Sequence, residues 1–489
     1  MLNKWKQTIS KFVCFVLTCQ LFILTVWAKP DWPSDTGIMA EAGIVMDMDS
    51  GAILYGQNIH LTYPPASITK ILTALIVLEN CNLDDTVTFS TTAVNQVEAD
   101  SGNKISVVAG DQLSVEDCLY SMLLVSCNQA ANALAEHTAG SISAFVNMMN
   151  EKLAQLGCQE SHFENPSGLN GDNQYVSAYD MALIAQAAYD NETLVEISSA
   201  TTHKIAPTTQ NPDGFTIRGE HRLCVTEDPS SPYYYPEAVA GKTGYLIKAG
   251  NTLVTYAVKD NRRLISVILK GQPRQYFVDG KALLEFGFRS FQDYTVADYE
   301  SRYVTGNETI NLDKGSFQAS DLMIDPDSVI TLPNSASFED ADITLGALPE
   351  ISPDNAVALL TYSYNDRTIG TAYLLAKDGV TIDGNDSASE AATTAFDTAN
   401  AEAPLATASN AEKPQRPHKH ISVAGVLITI LIVLLVLGVI GLISWFIYSK
   451  KKEAKALAKR RERRRQRLQR SGDEEEFERL LAEYKNKKK

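Results

Sequence analysis

Ser67 and Lys70 stand three residues apart in Pro64-Pro65-Ala66-Ser67-Ile68-Thr69-Lys70, just ahead of the apolar run Ile71 to Leu78. That run predicts a helix buried on most of its circumference, with Ser67 and Lys70 one turn apart on the same face at its start. A serine hydroxyl is a weak nucleophile until a neighbour takes its proton. A lysine held in a water-poor pocket beside other cations has its pKa lowered enough to do so. Free backbone N–H groups at the helix N-terminus add stabilisation for an oxyanion. The same spacing also fits a capping serine followed by a solvated lysine, so the pair alone does not decide.

Two further clusters supply what such a nucleophile needs. Ser126-Cys127-Asn128 follows Val115 to Val125, where Cys118, Leu119, Met122, Leu123 and Val125 predict a helix with a broad apolar face. From that support Ser126 can relay a proton between Lys70 or Lys242 and a departing amine, while the Asn128 amide holds a lysine and a substrate carbonyl. Lys242-Thr243-Gly244 lies between Val239-Ala240-Gly241 and Tyr245, ahead of the β-patterned runs Gly250 to Val258 and Leu264 to Leu269. These runs predict antiparallel strands. On a strand edge, Lys242 and Thr243 would bind a substrate carboxylate, and Gly244 would let an extended peptide approach closely. Each triplet alone also reads as ordinary loop or edge-strand chemistry.

Taken in order, the three clusters resemble the low-molecular-mass penicillin-binding proteins of the D-alanyl-D-alanine carboxypeptidase family. The resemblance extends to Ala42 through Gly51 as an opening strand and turn, and to Asn165-Pro166-Ser167-Gly168-Leu169 as an N-P-x-G-L loop. Ser177 to Ala182 fits the helix after that loop, and Leu283 to Phe288 the closing helix, so about residues 37 to 292 are covered. It implies that Ser67 is the acylated nucleophile and Lys70 its base, with Ser126, Asn128 and Lys242 completing the proton and hydrogen-bond network. Lys242 and Thr243 would receive the terminal carboxylate of a peptidoglycan stem peptide. The N–H groups of Ser67 and Tyr245 would form the oxyanion hole, and β-lactams would acylate the same serine. No cofactor is implied. Two departures stand out. Cys127 fills a position where the family has a small residue, and either alters access to the site or points away from it. Tyr276 stands where the family places an arginine, with Arg274 two residues off.

The flanks predict where this chemistry happens. Lys4, Lys6 and Lys11 precede an apolar stretch from Phe12 to Trp27 ending at Ala28, which reads as a signal peptide over 1–28, with an uncleaved anchor as the alternative. Ile421 to Tyr448 carries no charge and is long enough to cross a bilayer. Lys450-Lys451-Lys452 follow at once, so residues 449–489 form a cytoplasmic tail and the catalytic part lies outside the cell membrane. Of 43 Lys and Arg, 17 fall in residues 450–489 and 3 in the first 28, against 8 and none of the 59 acids. The outer part therefore holds 23 basic and 51 acidic residues, a net charge of −28, which argues against nucleic-acid binding.

Residues 293–380 alternate short strand patterns with turns and predict a small β-sandwich-type module; 381–420, rich in Ala, Thr, Ser and acids, read as a flexible stalk. The outer part keeps Cys81, Cys118, Cys127, Cys158 and Cys224, an odd number, with no C-x-x-C spacing and scattered histidines, so no metal centre is expected. The fold class expected is α/β (α+β): an antiparallel sheet packed by helices with a helical subdomain, β-lactamase/transpeptidase-like, followed by the β-module and one transmembrane helix. The function expected is a serine-type D-Ala-D-Ala carboxypeptidase. A membrane-spanning β-lactam sensor and a β-lactamase are the alternatives, the latter lacking a clear E-x-x-x-N deacylation motif.

Overall fold

The structure, a computed structural model, describes residues 29–34, 36–98, 101–349 and 351–382. The expected signal peptide at 1–28, the span at 421–448, the tail at 449–489 and nearly all of the stalk lie outside the described residues. Among those described, no helix is long and apolar enough to cross a membrane.

Five strands form the central sheet: β1 (Ala42–Asp47), β2 (Ile53–Gln57), β3 (Ala238–Leu246), β4 (Gly250–Lys259) and β5 (Arg262–Gly271), in the order β2-β1-β5-β4-β3. Every pairing is antiparallel. Strand β1 is buried at all positions, so its apolar pattern runs unbroken where a one-sided strand would alternate. The pleat divides its side chains between two cores. Ile44 and Met46 join Val254, Tyr256, Ile265 and Val267 in the layer facing the helical subdomain. Val45 joins Leu253, Ala257, Leu264 and Ile268 in the layer under the closing helix.

The helical subdomain contains α1 (Lys70–Asn80), α2 (Val115–Leu124), α3 (Asn128–Ala139), α4 (Ile142–Gln155), α5 (Ala178–Tyr189) and α6 (Glu192–Ser199), while α7 (Gln275–Ser290) closes the opposite face of the sheet. The caps that start these helices are written in the sequence. Ser114, Ser141, Ser177 and Asn191 each accept a hydrogen bond from a first-turn N–H of α2, α4, α5 and α6 respectively. Helix α3 stops at Gly140, which takes the left-handed conformation at φ +77°. Helices α1, α3 and α7 have no capping side chain; α1 is entered through a 3₁₀ turn, Ala66–Thr69, which carries Ser67.

Helix α7 runs straight into the strand Phe291–Thr295, which pairs with Val329–Pro333. A four-stranded sheet follows in the order Leu322–Ile324, Arg367–Ala376, Ala356–Tyr364, Asp342–Gly346. Leu332, Tyr362, Tyr364, Ile369 and Leu374 belong to this module's own core. Arg262 ties it to the catalytic sheet, donating to Asp293 at 2.8 Å and to Asp47 at 3.2 Å. Burial, and then the nearby Asp293 charge, raise the Asp47 carboxyl to about 6.

Candidate active site

Ser67 lies in the 3₁₀ turn that opens onto α1. Two hydroxyls hold this turn by its carbonyls: Thr252 from β4 donates to the Pro65 oxygen at 2.8 Å, and Thr69 donates to the Ala66 oxygen at 2.9 Å. Ala66 is held at φ +52°, a strained conformation for a residue with a side chain and one that neighbouring contacts must enforce. Consecutive helical positions then bring Lys70 beneath Ser67.

The Lys70 amine is fully buried and has three partners: Ser67 Oγ at 2.9 Å, Asn128 Oδ1 at 2.7 Å and the Ser167 carbonyl. Counting protons assigns their roles. As an ammonium it donates to all three; as a neutral amine its two N–H groups serve Asn128 and Ser167, and the lone pair is left for the Ser67 hydroxyl to donate into. Burial, and next the positive charge of Lys242, hold Lys70 well below the usual lysine pKa. Ser167 is set by its loop. Asn165 Oδ1 accepts from the N–H groups of Gly168 and Leu169 at 2.8 and 3.1 Å, and Thr73 of α1 donates to the Pro166 carbonyl at 2.7 Å.

Between α2 and α3 the chain turns sharply. Cys127 N–H donates back to the Ser121 carbonyl at 3.0 Å, and Ser126 takes φ +63°. That reversal leaves Ser126 half-buried and places Asn128 as the first residue of α3, its amide oxygen meeting Lys70. Cys127 points inward. It is fully buried, its thiol contacts Gln129 Oε1 at 3.6 Å, and burial pushes its pKa up to about 11.

Strand β3 is the edge of the central sheet. Gly244 lies against Ser67: a Cβ placed on it would come within 2.7 Å of the Ser67 nitrogen and 2.4 Å of Thr252 Oγ1. The nitrogen that would hold an oxyanion is thus bordered by a backbone that tolerates no side chain. Lys242, one pleat repeat earlier on the same face, is buried and donates to the Thr243 carbonyl at 2.9 Å.

The sequence profile of the D-alanyl-D-alanine carboxypeptidase family, peptidase S11, matches residues 29–272. The chain is 34% identical to D-alanyl-D-alanine carboxypeptidase DacB2 of Mycobacterium tuberculosis over 265 residues, 53% of this chain and 84% of that relative. It belongs to the D-alanyl-D-alanine carboxypeptidase family. It is a serine-type D-Ala-D-Ala carboxypeptidase. D-alanyl-D-alanine carboxypeptidase DacF of Bacillus subtilis is 28% identical over 281 residues, 56% of this chain and 69% of that one. Penicillin binding protein 6B from Escherichia coli, 23% identical, shares the fold with a TM-score of 0.52 over 72% of this chain and 99% of its own.

In this carboxypeptidase, the cleft brings together by direct contact Ser67, Lys70 and Asn128, the hydroxyl, amine and amide groups expected from the sequence to act together. Gly244 joins them by its approach to Ser67, and Lys242 by its charge on Lys70. Thr243 and Tyr245, by the strand's alternation, turn to the other face of β3, and the Tyr245 side chain is exposed. Three contributors had no sequence assignment: Thr252, which pins the turn that carries Ser67; the Ser167 carbonyl, which holds Lys70; and His221, whose ring packs beside Gly241. The N-P-x-G-L loop marked the second of these, while Thr252 and His221 left no local pattern to find.

Substituting Gly244→Ala is expected to lower kcat by about 10²-fold, the size of losing an oxyanion donor. The turnover of a D-Ala-D-Ala peptide checks this, with thermal unfolding measured alongside to show that the sheet edge survives.

If Lys242 binds the substrate carboxylate as expected from the sequence, it sets an alkaline limit. Burial first, against the opposing pull of Glu220, lowers its pKa to about 8. As pH rises through 8 the amine loses the charge that would attract such a carboxylate. The expected result is a fall in kcat/KM above about pH 8, carried by KM. Lys242→Arg should move that limb upward, because a guanidinium keeps its charge.

Proposed function

We propose that the enzyme hydrolyses the terminal D-alanine from peptidoglycan pentapeptide through an acyl-enzyme on Ser67. The observation that carries this is the buried Lys70 amine 2.9 Å from Ser67 Oγ, with its remaining hydrogen-bonding directions taken by Asn128 and Ser167. Neutral Lys70 accepts the Ser67 proton as Oγ attacks the carbonyl of the penultimate D-alanine. The tetrahedral oxyanion sits on the N–H groups of Ser67 and Tyr245. Ser126 passes a proton to the departing amine, D-alanine leaves, and water hydrolyses the ester with Lys70 again as base. Lys242, Thr243 and Gly244 hold the substrate along the β3 edge. β-Lactams acylate Ser67 by the same attack.

The signal-like first 28 residues, the uncharged stretch 421–448 and the basic residues after it support a single-pass membrane protein with its catalytic part outside the cell. The test is free D-alanine released by the full chain from diacetyl-Lys-D-Ala-D-Ala. Multiple turnovers are expected; stoichiometric β-lactam acylation with no D-alanine release would instead make it a β-lactam receptor.

A further inference from the structure

A carboxypeptidase substrate ends in a free carboxylate, and assigning a partner to that group rests on the proposed hydrolysis of D-alanine. On the nucleophile's side of β3 the nearby cation is Lys242, buried and already donating to the Thr243 carbonyl. The other side of the strand offers a second cation. Gly241 and Thr243 pair with Thr255 and Leu253 of β4, and Leu253 lies in the core layer under α7, so the Thr243 side chain turns toward that layer.

Two landmarks bracket Thr243 there. At one end His221 fills the space beside Gly241, its Nε2 2.6 Å from where a Cβ on that residue would stand. Its Nε2 also meets the Val254 carbonyl at 3.1 Å and Thr255 Oγ1 at 3.2 Å. At the other end Tyr276 of α7 abuts Gly271, which pairs with Asn251, the β4 partner of Tyr245. The residue after His221 is Arg222, opening a short helix, Arg222–Val225, that packs against both β3 and α7. The Arg222 guanidinium lies 5.0 Å over the Tyr233 ring and remains exposed to solvent. Phe277 of α7 links that ring to Tyr276, with centroids 5.6 Å from Tyr233 and 4.2 Å from Tyr276.

Two charges compete at this rim. Glu220 is the near carboxylate, and Lys104 pairs with it at 3.2 Å, leaving Arg222 without an acidic partner among the described residues. Arg274 is the other arginine, exposed at a left-handed turn before α7, and among the described residues nothing fixes its guanidinium. We propose that Arg222, laid on Tyr233 where the short helix packs against β3 and α7, binds the terminal carboxylate of the substrate together with the Thr243 hydroxyl. A planar guanidinium preordered on an aromatic face is suited to take a carboxylate through two parallel hydrogen bonds. It reaches the carboxylate from an element far in sequence from the closing helix, where Tyr276 supplies a phenol and no charge.

The test compares full-length wild type, Arg222→Gln and Arg222→Lys on diacetyl-Lys-D-Ala-D-Ala and on the same peptide ending in a carboxamide. Arg222→Gln is expected to reduce the preference for the free acid, read as the ratio of kcat/KM values, by about 30-fold. Arg222→Lys should recover part of that preference. Equal losses on acid and amide would show a merely structural role and overturn the proposal. So would an unchanged ratio, or a ratio that collapses in Arg274→Gln instead. Wild-type enzyme that released no D-alanine from the free acid would remove the carboxypeptidase reading as well, so the two failures are distinguishable.

Discussion

Ser67→Ala is expected to leave a folded protein that takes up no labelled β-lactam and loses D-alanine release by about 10⁴-fold or more, the scale seen when a nucleophile that works with a partner base is removed. The fold should tolerate the change, because the turn is held by Thr252 and Thr69 acting on the carbonyls of Pro65 and Ala66, and among the described residues the Ser67 hydroxyl meets only Lys70. Both readouts are needed. Acylation without turnover would locate the defect in deacylation, whereas persistent labelling of the Ser67→Ala variant would place the nucleophile elsewhere. A melting curve on the same sample separates lost chemistry from lost structure.

Lys70→Met ranks second. The thioether chain fills the volume of the buried lysine stem but accepts no proton, so acylation should slow by about 10³-fold, within the range for loss of a positioned general base. The pH profile gives the sharper signature. A base works only when neutral, so the wild-type rate should fall as pH drops through the Lys70 pKa, which burial and Lys242 hold well below the usual lysine value. In Lys70→Met the residual rate should lack that acid limb. If the limb survived, another group would be titrating. Stability should also drop, since the Asn128 and Ser167 oxygens lose a buried donor.

Much of the site was legible because its parts are local. Ser67 and Lys70 share a turn by spacing alone, and the apolar residues from Ile71 to Leu78 could form little but a buried helix. The alternation around Lys242 required strands, and Gly244 marked a close approach. The two core layers were not legible, because β1 is buried on both faces and shows no alternation to read. Cys127 was likewise open. Its sequence position is beside the nucleophile's partners, yet the φ +63° reversal at Ser126 sends its thiol into the core.

By itself, then, the sequence determined the chemical groups, their order and their local elements, since periodicity, capping residues and turn formers act over a few positions. Tertiary structure decided which groups meet. It brought Asn128 to Lys70 across 58 positions and the Thr252 hydroxyl to the Pro65 carbonyl across 187. It also set the electrostatics: burial lowers the pKa of Lys70 and of Lys242, and the Lys242 charge lowers that of Lys70 further. Desolvation and Coulomb repulsion depend on distances through space, which the order of residues along the chain does not contain.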